Sequence, residues 1–99
     1  MIRPREDTTV LKNSYADLVA QRAQDPEDVS LREQIANCCF QLERYNEAEE
    51  IYKQLVVEFP KLAKYNYRLG KVLAAQERLD DALAQLDCAL EKWRSFHWA

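Results

Sequence analysis

Glu43-Arg44-Tyr45-Asn46-Glu47-Ala48 is answered 34 residues later by Glu77-Arg78-Leu79-Asp80-Asp81-Ala82. Glu, Arg and Ala are identical in register. The third position is large and apolar both times, the fourth suits a helix cap, and the fifth is an acid. The same offset relates Pro26 to Pro60, Ile35 to Leu69 and Tyr52 to Leu86. This many coincidences in one register read as an internal duplication.

Outward from that stretch, apolar residues recur at three- and four-residue steps. Leu11, Tyr15, Leu18 and Val19 predict a first helix over 8–24, preceded by a charged leader at 1–7. Asp25 and Pro26 read as the cap and first position of a second helix over 27–42, carrying Leu31, Ile35, Cys38, Cys39 and Leu42. Asn46 is expected to cap a third helix whose stripe runs from Ala48 to Phe59, stopped by Pro60. Leu62, Tyr65, Leu69, Val72 and Leu73 predict a fourth over 62–76. Asp80 is expected to cap a fifth, which carries Ala82, Leu86, Ala89, Leu90 and Trp93 toward Phe96. Loops of about three residues make neighbouring helices antiparallel and leave no room for a βαβ crossover.

Composition agrees. One glycine and three prolines in 99 residues argue against sheet architectures and phosphate-cradling loops, which spend glycine on turns and close backbone approach. The formal net charge of −3 speaks against nucleic-acid binding, which needs a basic excess. No apolar run is long enough for a membrane span, and the first residues lack the apolar core of a secretory signal. The expected location is the cytoplasm. Cys38, Cys39 and Cys88 are an odd set without paired spacing, so they read as small apolar side chains rather than disulfide or metal ligands.

With the period and the stripes in hand, the chain resembles the tetratricopeptide repeat family. That family's small, aromatic and proline positions match Ala36, Cys39, Ala48, Tyr52 and Pro60 in one repeat and Gly70, Leu73, Ala82 and Leu86 in the next. Gly70 and Ala36 stand where paired helices come closest. The family's signature Trp is replaced by Arg32 and Asn66, and its last proline by Arg94. The resemblance implies an all-α fold: a short α-solenoid of about five helices forming one domain over 8–99. Its full repeats would cover about 29–62 and 63–96, with 8–24 as a leading helix.

Catalysis is not expected. The one histidine, His97, lies two residues from the end, and Glu47, Glu49, Glu50, Asp80 and Asp81 near helix starts read as capping or solvated acids. No cofactor and no metal are implied. The resemblance implies instead a non-catalytic protein- or peptide-binding module with a concave face built from the first helix of each repeat. Lys64, Tyr67, Arg68 and Lys71 from the fourth helix would meet Asn37 and Gln41 from the second there, beside Glu33, Gln34 and Phe40. Three cations around a tyrosine suit an acidic peptide. Lys64 and Arg68 also match two cations of the carboxylate clamp found in some co-chaperones of the family, although Gln34 replaces its Asn. The second reading is self-association, or docking onto a larger assembly, through the aromatic end formed by Trp93, Phe96 and Trp98.

Overall fold

The computed structural model describes residues 9–98, and among these the side chains of all but Thr9, Leu11, Phe96, His97 and Trp98. The leader expected at 1–7 lies outside the described residues. Five helices follow one another: α1 (Thr9–Gln24), α2 (Val29–Gln41), α3 (Tyr45–Glu58), α4 (Ala63–Ala75) and α5 (Leu79–Trp98). Connections of three or four residues turn each helix back along its neighbour, and each packs principally on its neighbours in sequence. The radius of gyration is 14.8 Å, against about 13 Å for a compact domain of this length. An open stacked array explains that excess; a closed five-helix bundle does not.

The helix starts differ from the capping expected of Asp25, Asn46 and Asp80. Asp28, not Asp25, caps α2, its side chain accepting from Leu31 N at 3.2 Å. Pro26 and Glu27 lie in the preceding turn. α3 begins at Tyr45 and α5 at Leu79, so Asn46 and Asp80 sit inside their helices. The reason is the way the preceding helices close. Glu43 and Glu77 both adopt φ 63°, the left-handed region. Arg44 N then donates to Cys39 O at 2.7 Å and Glu43 N to Phe40 O at 3.1 Å. In the second turn Arg78 N donates to Leu73 O at 3.0 Å and Glu77 N to Ala74 O at 2.9 Å. Both are Schellman closures with glutamate in the place glycine usually takes. They let the next helix start at once, with the carbonyls of Arg44 and Arg78 already accepting from Ala48 and Ala82. Asp80 and Asp81 then oppose the positive end of the α5 dipole.

The core runs along the array: Ile35, Ala36 and Cys39 of α2; Ala48, Tyr52 and Leu55 of α3; Tyr65, Leu69, Val72 and Leu73 of α4; Ala82 of α5. Tyr15 and Leu18 of α1 pack against one end. At the positions where the signature Trp is replaced, each helix pair is bridged by polar groups 26 residues apart. Arg32 pairs with Glu58, Nη1 to Oε1 at 3.0 Å. The buried Asn66 donates to Gln85 Oε1 at 2.9 Å and accepts from Lys92 Nζ. The two bridges are related by the same 34-residue shift as the sequence.

Glu49 departs from its expected solvated state: it is 7% exposed. Lys53 Nζ at 2.8 Å, Gln76 Nε2 at 2.9 Å and Arg78 Nη1 at 2.9 Å converge on its carboxylate. α4's end and the turn after it fold over α3 at this point and remove the acid from water, while three donors hold it charged. Cys38 and Cys39 are buried as expected of small apolar side chains, but Cys88 is exposed on α5. The expected apolar stripe of α5 also divides. Ala82 and Ala89 are buried, while Leu90 and Trp93 face outward.

Candidate functional site

α4 commits its faces in turn. Tyr65, Leu69 and Val72 are buried beside α3, with the Tyr65 ring 5.9 Å from that of Phe59. Asn66 and Gly70 meet Gln85 and Leu86 of α5. Lys64, Tyr67, Arg68 and Lys71 are left on the outside, all exposed, as their three- and four-residue spacing requires.

These residues do not converge on one pocket. Arg68 and Lys71 share a cleft with Asn37 and Phe40 of α2 and with Tyr52 and Val72 behind them. Its volume is about 20 Å³, room for about one water molecule, so it is a shelf rather than a receptacle. Lys71 Nζ stands 5.6 Å from the centres of both the Phe40 and Tyr67 rings, a distance at which an aromatic face attracts a cation. Arg68 lies against the Tyr52 hydroxyl, opposing the rise in that group's pKa that burial causes. Among the described residues no carboxylate forms an ion pair with Arg68 or Lys71.

Lys64 is different. Its Nζ is 3.1 Å from Glu33 Oε1, so its charge is partly spent within the chain. Gln41 is exposed one turn beyond Asn37, at the end of α2, and does not line the cleft. Asn37 also borders a second opening, of about 390 Å³, where Ser14, Asp17 and Gln21 of α1 face Gln34 of α2. The polar surface thus continues from the cations of α4 past Asn37 to α1.

Sequence reasoning missed a third opening. Lys64 and Tyr67 form one side of a groove of about 500 Å³ whose other side is Leu86, Leu90 and Trp93, with Ala63 and Ala89 also lining it. Trp93, expected as an interface residue, is on this groove and 60% exposed. The side chains of Phe96 and Trp98, expected to join it, lie outside the described residues, as does that of His97. The signal that would have found the groove is the repeat register itself: moved by 34 residues, the face of α3 covered by α4 becomes the leucine face of α5.

Among the described residues, the thiol and the acid most shifted by their surroundings are held in their unreactive forms. Burial and the nearby Glu47 carboxylate push the Cys39 thiol up to about 12, which keeps it protonated and unreactive. Hydrogen bonds from Lys53 and Gln76 lead the causes that hold Glu49 down at about 2, the reverse of what a general acid at neutral pH needs. Among the described residues there is no group of His, Cys, Asp and Glu that could hold a metal ion, and no helix is long and apolar enough to cross a membrane.

A family model described as tetratricopeptide repeat matches residues 12–63 and 43–95, which together span 12–95. No curated protein matches the chain.

Proposed function

The chain belongs to the tetratricopeptide repeat family, and from that premise we propose that it is a non-catalytic module holding an acidic peptide segment of a partner protein. Repeats of this family generally mediate protein–protein interaction, typically as scaffolds without catalysis. We take 29–62 and 63–96 as the full repeats and 8–24 as a leading helix. The peptide lies extended across the concave side of α2 and α4, along Asn37, Gln41, Lys64, Tyr67, Arg68 and Lys71. A shelf too small to enclose a ligand suits an extended chain that is gripped at intervals.

The observation that carries this reading is the state of the two inner cations. Arg68, against the Tyr52 hydroxyl, and Lys71, beside the Phe40 and Tyr67 rings, line the same cleft, and among the described residues no acid pairs with either. A carboxylate from outside can take two charge-assisted hydrogen bonds there without displacing an internal partner. Lys64 would add to the field around the shelf while Glu33 holds it in place. Three cysteines in no disulfide suit a reducing compartment, and the cytoplasm is part of the same proposal.

Selection of random peptides on the immobilised domain tests it. Peptides rich in Asp and Glu should be enriched, and enrichment should vanish on a domain carrying Arg68→Glu and Lys71→Glu. Enrichment of basic or purely apolar sequences would contradict the reading.

A further inference from the structure

Three equivalent helix faces run through the array at 34-residue intervals. On α1 the face holds Tyr15, Leu18 and Arg22; on α3, Glu49, Tyr52 and Val56; on α5, Leu83, Leu86 and Leu90. The first two are covered, and at each an arginine of the following turn closes the contact. The Arg44 guanidinium lies 4.8 Å from the centre of the Tyr15 ring. Arg78 Nη1 reaches Glu49 at 2.9 Å. The third face has no such cover among the described residues: Leu79 is 61% exposed, Leu83 59% and Leu90 52%. It is also the only one of the three that is apolar throughout. Leu83 occupies the place of Tyr15 and Glu49, so an incoming helix must bring an apolar side chain there, not a cation.

We infer that a second copy of this chain covers this face, its α5 lying antiparallel along the α5 of the first. Two features favour that occupant. The stripe Leu79, Leu83, Leu86, Leu90, Trp93 advances by alternating steps of four and three residues, so two such stripes interdigitate when one is reversed. Asp80, Asp87 and Arg94, all exposed, follow one another at seven-residue intervals along the outer flank of the stripe. Antiparallel pairing brings Asp80 of each copy beside Arg94 of the other at both ends of the contact, two opposite-charge pairs against one meeting of Asp87 with its own copy at the centre. Parallel pairing would form neither Asp80–Arg94 contact. The arrangement is isologous, so it closes at two chains. It uses neither Arg68 nor Lys71, so the variants that test the peptide shelf leave it in place, although Lys64 and Tyr67 border the same groove.

Sedimentation equilibrium over a wide concentration range tests it. The wild-type chain should show a reversible monomer–dimer equilibrium. Leu83→Glu should weaken the dimer by about tenfold or more, with helicity and melting temperature tracked by circular dichroism. Asp80→Arg should weaken it, and Asp80→Arg combined with Arg94→Asp should restore it, because the pair is then reversed rather than broken. Three results would overturn the inference. They are a monomer at every concentration, a dimer indifferent to Leu83→Glu, and a dimer that the double charge reversal fails to recover.

Discussion

A β-carbon built on Gly70 would stand 2.8 Å from Cδ2 and 2.9 Å from Cγ of Leu86. The single glycine of the chain is therefore where α4 and α5 touch, and the carbonyl oxygen of Ala82 lies 3.3 Å from the same point. Leu86 is half-buried and borders the outer groove, so it has room to turn away from a small addition. Gly70→Ala should change stability by no more than about 1 kcal/mol, because a gain of that order in helix propensity offsets the displaced leucine. Gly70→Leu must push against the α5 backbone as well and should cost about 1–3 kcal/mol or more. Urea denaturation measures both, and a neutral Gly70→Leu would contradict the helix register.

Glutamate at φ 63° is strained, since a left-handed L-residue costs about 1–2 kcal/mol. Glu43→Gly and Glu77→Gly remove that strain and add back unfolded-chain entropy. Each should stabilise the domain by about 0.5–1 kcal/mol, read as a rise of several degrees in Tm. A fall in Tm would mean that one of these glutamates makes a contact worth more than the strain.

Acid should weaken the fold through Glu49. Its pKa falls from 4.5 to about 2 on folding, through the hydrogen bonds of Lys53, Gln76 and Arg78. A lowered folded-state pKa gives stability that is present above the unfolded value and lost as pH falls through the folded one. The contribution, about 2–3 kcal/mol at neutral pH, should therefore disappear between about pH 4.5 and 2. Glu49→Gln should flatten that part of the stability profile and lower stability at pH 7. A slope unchanged by the substitution would place the acid sensitivity elsewhere.

Asn66 bridges Gln85 and Lys92 in a buried setting. Asn66→Ala leaves both partners without it and should cost about 1–3 kcal/mol in chemical denaturation. A smaller loss would show that water replaces the amide.

The period and the number of helices were legible because both rest on apolar spacing, which a sequence states openly. The helix starts were not. A glutamate in the left-handed region carries no compositional mark, so the turns at Glu43 and Glu77 looked as if Asn46 and Asp80 had to cap. Arg32 and Asn66 stood out only as departures from the family pattern, since their partners Glu58 and Lys92 lie a full helix away. The candidate cations were found by spacing on α4, but spacing alone could not divide them. Only packing shows that Glu33 engages Lys64 while Arg68 and Lys71 share the shelf with Asn37. Leu90 and Trp93 were read into the apolar stripe of α5 because they recur at helical spacing with Ala82 and Ala89, which are core.

The central claim is tested most directly by titrating the domain with a labelled acidic peptide and with its lysine-for-glutamate counterpart, for the parent and for Arg68→Glu. The parent should bind the acidic peptide alone, more weakly as salt rises, and Arg68→Glu should lose about tenfold or more of that affinity while melting as the parent does. Equal binding of both peptides, or acidic-peptide affinity untouched by Arg68→Glu, would contradict it.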